Sequence, residues 1–187
     1  MKYVIEHLEP RLFKWCVIEY KHISSIVGRK NLMITNLKGA QPDKLKSLCS
    51  GSKRKASELG LKRVCVLDPV AEEILKPSDK EKFDYLVFGG ILGDYPPRKR
   101  TKDELVIPGA ERRHIGKEQF ATDNAVMVCK MIIEEQVPFE KLKFQDTVSL
   151  EMGESEAMDF PFRYLLVDGK PLFSDELLKF IKKRKGF

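Results

Sequence analysis

The run Phe88 Gly89 Gly90 Ile91 Leu92 Gly93 Asp94 Tyr95 Pro96 Pro97 Arg98 sets three glycines and a carboxylate directly after the apolar stretch Tyr85 Leu86 Val87 Phe88. Glycines at the carboxyl end of a parallel strand let a ligand come close to the main chain, and that edge is where open α/β sheets bind ligands. The bare pattern fits a small-molecule site or only a tight turn, and it names no ligand. The spacing matches neither Gly-x-x-x-x-Gly-Lys-Ser/Thr nor Gly-x-Gly-x-x-Gly, so ATP and NAD lose their usual signatures. Two more segments sit at expected strand ends: Leu67 Asp68 Pro69, and Arg113 His114 Ile115 Gly116 followed by Gln119, Thr122 and Asp123. Three such loops converging would make one pocket. His114 suits a general base or an ordinary hydrogen-bonded histidine, and Asp123 a functional carboxylate or a helix cap. On the residues alone the reaction stays open.

The elements that must position these loops alternate between strand and helix. Tyr3 to Glu6 reads as a buried strand, Leu12 to Val27 as a helix stopped by Gly28, and Leu32 to Thr35 as a second strand. Val64 to Leu67 and Tyr85 to Phe88 are uninterrupted apolar runs, as expected of parallel strands buried on both faces. Between Lys38 and Lys62 the composition turns to Lys, Ser and Gly, with a short helix at Pro42 Asp43 and a loop at Gly51 to Lys55. Further on, Arg112 to Gly116 reads as a short strand and Thr122 to Glu135 as an amphipathic helix capped by Thr122 or Asp123. Phe162 to Val167 is a late strand or hairpin arm, and Ser174 to Ile181 a capped helix. The pattern is α/β in a single domain of 187 residues.

Composition bounds the rest. With 42% hydrophobic and 33% charged residues and a formal charge of +6, the chain is a mildly basic globular protein, and disorder or coiled coil fails as a description of the whole. No apolar stretch approaches the roughly 20 residues needed to span a bilayer, and Met1 to His7 lacks a secretory pattern, so a cytoplasmic protein without membrane contact is expected. Cys16, Cys49, Cys65 and Cys129 have no metal-ligand spacing and read as reduced, buried hydrophobes, with neither metal nor disulfide.

The pattern Val64 to Pro69, then Phe83 to Arg98, resembles the SPOUT methyltransferases, in the subfamily that includes the yeast ribosomal-protein arginine methyltransferase. Met1 to His7, Arg113 to Gly116 with Gln119, Thr122 and Asp123, and Met158 to Tyr164 extend the likeness over nearly the whole chain. What the resemblance implies is a SPOUT-type α/β knot: a parallel sheet core, a deep trefoil knot within residues 1–138, and a C-terminal extension over 139–187. The general rule that chains avoid knots argues the other way.

The resemblance further implies that S-adenosylmethionine is held by three loops and leaves as S-adenosylhomocysteine. The first loop is Leu67, Asp68 and Pro69. The second is Phe88, Gly89, Gly90, Ile91, Leu92 and Gly93, and the third His114, Ile115, Gly116, Gln119 and Thr122. Methyl transfer to a guanidinium calls for carboxylates that orient it and take a proton. Asp94 is preferred as the catalytic group, with Glu6 and Asp123 behind it, and Glu9 among the substrate ligands. Were the substrate RNA, Arg98, Lys99, Arg100, Arg112 and Arg113 would meet phosphate; otherwise they are solvated surface charge. The expected activity is methylation of an arginine of a small-subunit ribosomal protein. The alternatives are a tRNA or rRNA methyltransferase of the same fold and a non-catalytic RNA- or ribosome-binding module. The Lys-rich stretch from Leu37 to Lys62 and the basic end Lys182 to Lys185 add positive charge that suits RNA, or a protein presented on rRNA. A monomer and a homodimer both stand.

Overall fold

The computed structural model describes residues 1–90, 103–151 and 157–183. Six parallel strands form the main sheet: β1 (Lys2–His7), β2 (Leu32–Thr35), β3 (Ser50–Gly51), β4 (Val64–Leu67), β5 (Tyr85–Gly90) and β6 (Glu111–Arg113). Their order is β3-β2-β1-β5-β4-β6. Successive side chains of a strand point to opposite faces, and both faces here are apolar. On one face Tyr3, Ile5, Cys65, Leu67, Leu86 and Phe88 pack under two helices, α1 (Lys14–Val27) and α3 (Thr122–Ile133). On the other, Val4, Val64, Val66 and Val87 are closed over by Ala56 and Leu105. The continuous apolar runs are therefore buried on both sides, as the sequence predicts.

A short helix, α2 (Gln41–Leu45), falls where Pro42 Asp43 suggested one. The segment after it departs from expectation, since Ser50–Gly51 pairs with β2 as an edge strand instead of belonging to a loop. Three further boundaries move. The strand expected at residues 112–116 ends at Arg113, because the His114 N–H donates to the Glu73 carbonyl and its own carbonyl accepts from Leu75. Neither Thr122 nor Asp123 caps α3; the N-cap is Ala121, and the carboxylate of Glu19 reaches over from α1 to accept the Thr122 N–H at 3.1 Å. That helix ends at Ile133, short of Glu135, where Gln136 turns left-handed (φ 57°) and donates its side-chain amide to the Ile133 carbonyl.

A separate antiparallel sheet of β7 (Phe144–Glu151), β8 (Ala157–Val167) and β9 (Lys170–Pro171) precedes the last helix, α4 (Asp175–Lys183). Ser174 caps α4 as expected, its hydroxyl accepting the Leu177 N–H. This unit does not stand apart. Trp15 and Ile18 of α1 pack with Val148, Phe160, Tyr164, Leu177 and Ile181. The loop expected to carry part of the knot crossing, beyond Gly90, lies outside the described residues.

Candidate functional site at the carboxyl edge of the sheet

In parallel strands every carboxyl end falls on one edge. β5, β4 and β6 are adjacent, so the loops leaving Gly90, Leu67 and Arg113 start within about 10 Å of one another, two inter-strand spacings. Register brings β1 to the same edge, with Glu6 opposite Gly89 and His7 opposite Gly90, while Leu67 lies opposite Arg113. The three loops expected to form one pocket thus do leave from one place. Ile91, Leu92, Gly93, Asp94, Arg98, Lys99 and Arg100 fall outside the described residues.

A cavity of about 520 Å³ opens here, lined by Asp68, Val70, Ala71, Glu72, Glu73 and Arg112. Its size is within the range of small-molecule sites. Of its three carboxylates Asp68 pairs with Arg112 and Glu73 with Arg113, so Glu72 leaves the wall mildly acidic, which suits a ligand carrying positive charge. Asp68 is buried and fixed. Its N–H donates to the Arg113 carbonyl at 2.9 Å, and its carboxylate accepts the Val70 N–H and pairs with Arg112. Leu67 and Ile115 supply buried apolar surface, while Pro69 is exposed. The third loop is clamped from both sides. His114 Nδ1 accepts the Gly116 N–H, and Arg163 of β8 reaches Glu118 while its own N–H donates to the Gln119 carbonyl. Gly116 has φ 102°, and a Cβ there would meet Glu118 and Phe139. The side-chain carbonyl of Gln119 is buried and has no partner among the described residues, so it is available to a donor.

At the end of β1 the structure separates residues that the sequence left together. Glu6 is buried, its carboxylate accepting the Ala56 N–H at 2.8 Å and the Thr35 hydroxyl, so it ties the chain around residue 56 to the sheet. His7 is also buried, with Nδ1 2.8 Å from the Tyr20 hydroxyl and Nε2 unpartnered among the described residues. Burial lowers its pKa, against the carboxylate of Glu9. Glu9 itself is half-buried just beyond.

Arg113 corrects a sequence expectation. A phosphate or substrate ligand must present free N–H groups, but this guanidinium is 3% exposed and already engaged by Glu111, Glu73 and Asp79, over the ring of Phe83. Arg112, one residue earlier, faces the cavity instead.

Asp123 is likewise enclosed. One carboxylate oxygen lies 2.7 Å from His22 Nδ1, and the other accepts from the main-chain and side-chain N–H groups of Asn124. Asn124 in turn accepts from Leu165 and donates to the Leu172 carbonyl. This hub fastens the start of α3, and with it the end of the third loop, to α1 and β8.

Glu19 belongs to the hub and was not singled out from the sequence. Burial first, and then the charge of Asp123, pushes its carboxyl up to about 8. The signal was present, because Glu19 falls on the buried stripe of α1 with Cys16, Tyr20, Ile23 and Val27. A raised carboxyl binds a proton in the folded protein that the unfolded chain has released. Stability therefore falls as pH rises from the unfolded value near 4.5 towards 8 and levels off above. Glu19→Gln keeps an acceptor for Thr122 and has no proton to lose. Melting curves between about pH 5 and 9 should show that decline in wild type and a nearly flat profile over the same window in the variant; parallel profiles would remove Glu19 as the cause.

Similarity to known proteins agrees with this geometry. The SFM1-like family, described as "Protein arginine N-methyltransferase SFM1-like", matches residues 2–186. The chain belongs to this family. It is 39% identical to protein arginine N-methyltransferase SFM1 of Saccharomyces cerevisiae, over 98% of this chain and 95% of the yeast protein. The crystal structure of the yeast arginine methyltransferase SFM1 complexed with SAH superposes with a TM-score of 0.89 at 37% identity, covering 96% of this chain and 94% of that one. The dual-specific Trm10 of Thermococcus kodakaraensis, at 19% identity over 75% of this chain and 96% of its own, has a TM-score of 0.56 and shares the fold. The SFM1-like chain is thus an α/β protein with a parallel sheet core, built as the SPOUT methyltransferases are. Its four cysteines are buried thiols, with Cys16 and Cys49 pushed up to about 11 and Cys65 to about 12 by burial. Among the described residues no helix is long and apolar enough to cross a membrane.

Proposed function

We propose that this protein transfers a methyl group from S-adenosylmethionine to an arginine of a small-subunit ribosomal protein. The observation that carries the reading is the near-full-length likeness to the yeast arginine methyltransferase, whose structures are complexed with SAH and SAM. The residues present suit the cofactor. The cavity at the strand ends is large enough, its acidic wall favours a cationic sulfonium, and the third loop, leaving from the same edge, holds a Gln119 side-chain carbonyl that has no partner among the described residues.

When bound, S-adenosylmethionine supplies an electrophilic methyl group. The chain's part is to hold and orient. Leu67 to Pro69, Phe88 to Gly93, and His114 to Thr122 enclose the cofactor, with the trefoil knot implied by the family's fold bringing them together. A guanidinium arrives charged, so a carboxylate must orient it and accept its proton. Asp94, at the end of the glycine run, takes that role. Glu6 and Asp123 are held in internal hydrogen bonds and serve the framework, while half-buried Glu9 takes the role of meeting the incoming arginine. Among the described residues beyond 139, β8 packs against α3 and α4 against α1, which favours a monomer; a cytoplasmic location is part of the same proposal.

Incubation with methyl-labelled cofactor and small ribosomal subunits should yield label in methylarginine after protein hydrolysis. Label that resists protease and yields to nuclease would overturn the protein substrate in favour of RNA. Asp94→Ala should abolish turnover while leaving cofactor affinity within about tenfold, roughly 1.4 kcal/mol, by calorimetry. Loss of binding along with turnover would make Asp94 a cofactor ligand.

A further inference from the structure

The segment from Leu37 to Lys62 holds seven basic residues against two acidic ones, five of the six surplus positive charges of the chain. The structure decides where part of that charge lies. After β3 the chain crosses the carboxyl ends of β2 and β1: Ser52 donates to the Ile34 carbonyl, Leu37 to Ser52, Asn36 to Arg54, and Ala56 to the Glu6 carboxylate. The side-chain amide of Asn36 donates to the His7 carbonyl at 2.8 Å. These bonds lay Lys53, Arg54 and Lys55 along the edge that bears the candidate site, with Lys38 two residues beyond Asn36. All four are exposed, and none is paired with a carboxylate among the described residues. Lys38 is close enough for its charge to act on His7.

We infer that Lys38, Lys53, Arg54 and Lys55 form a docking surface for the phosphate backbone of RNA beside the methyl-transfer site, so that the protein substrate is taken in its RNA-bound form. The last clause rests on the ribosomal-protein reading above; the RNA contact itself does not. An acidic protein is the weaker occupant. Protein interfaces draw their energy from buried aromatic and apolar anchors. The exposed large hydrophobic residues among those described are Val70, Val106 and Val167, none of them on this segment. Phosphate needs no such anchor, because release of condensed counterions drives binding by charge alone.

The anchoring explains why Glu6 is buried. A carboxylate at the end of β1 fixes the backbone on which the cations are mounted, so the patch is held against the site instead of trailing from a loose loop.

The test uses the full chain and a fluorescein-labelled single-stranded RNA of mixed sequence, about 20 nucleotides long. Four phosphate contacts give a slope of about −2.8 in log affinity against log salt, a loss of about 50-fold between roughly 50 and 200 mM. The combined variant Lys38→Gln, Lys53→Gln, Arg54→Gln, Lys55→Gln should lose most of that slope. A charge-matched control at Lys80, Lys141, Lys170 and Lys179 should keep it. Equal loss in both variants would mean that net charge alone binds RNA, and no loss in the first would also overturn the docking surface. A second arm compares methylation of small ribosomal subunits with that of ribosomal proteins freed of RNA. The variant should lose at least tenfold in kcat/KM on the former and stay within about twofold on the latter. Parallel rates on both would overturn docking of an RNA-borne substrate. If wild type labels neither, the substrate reading fails while the RNA titration still decides the surface.

Discussion

Gly90→Ala should lower the melting temperature by roughly 10 °C, the consequence of about 3 kcal/mol of overpacking in a chain of this size. Gly90 ends β5 opposite His7, and a Cβ there would lie 2.7 Å from the Tyr20 hydroxyl, 2.8 Å from Ile5 Cγ2 and 3.1 Å from the Glu6 carbonyl. None of these atoms yields cheaply. The Tyr20 hydroxyl is bound to His7, while Ile5 and Glu6 sit in β1 between two paired strands. The glycine is therefore required by internal packing, in addition to any approach of a ligand. Tyr20→Phe removes one of the three contacts, so the double variant Gly90→Ala, Tyr20→Phe should be less damaged than the sum of the single ones by more than about 0.5 kcal/mol. Strict additivity in thermal melts would show that Tyr20 does not enforce the glycine. Because β5 leads into the glycine run, the same substitution should also weaken binding of S-adenosylmethionine beyond what the loss of folded protein explains.

Gly90 also shows what could be read before the structure. A glycine after a buried apolar strand marked the site edge, and Val64 to Leu67 and Tyr85 to Phe88 fixed the parallel core, since apolar runs without alternation have two faces to bury. Helices α1 and α3 were legible through their spacing. The partner of Gly90 was not, because Tyr20 lies 70 residues away and a pattern along the chain carries no distance. β7 escaped for a different reason: along Phe144–Glu151 Val148 alone is buried, and a bulge at Thr147 with φ 60° breaks the alternation. Glu19 and Asp123 likewise come together only through the packing of α1 on α3. Arg112 and Arg113 were indistinguishable as neighbours, yet a strand sends adjacent side chains to opposite sides. One meets the cavity and the other the buried carboxylate of Asp79.

That buried pair carries the second large effect. Arg113→Met should cost about 3 kcal/mol, the low end for breaking a buried ion pair, because buried Asp79 is left with only the exposed Lys82 as its cation. Asp79 is the group left behind, 3% exposed on its side chain, with one oxygen 3.4 Å from Arg113 Nε and also accepting the Lys76 N–H, and the other 3.3 Å from Lys82 Nζ, an exposed cation that would remain to balance it only in part. Glu73 and Glu111 are exposed and can turn to water, so their loss is small. Adding Asp79→Asn to Arg113→Met removes the poorly compensated charge while leaving an acceptor for Lys76, and should recover at least half of the lost stability in urea titrations. A double variant as unstable as the single one would place the cost in lost packing over Phe83 instead. The effect should reach the site as well. Arg113 is the last residue of β6, its carbonyl accepts the Asp68 N–H, and the next residue opens the third loop. Weakening this corner loosens two of the three loops at once. In the double variant, with folding restored, any remaining deficit in S-adenosylmethionine affinity measures how much the rigid corner contributes to binding.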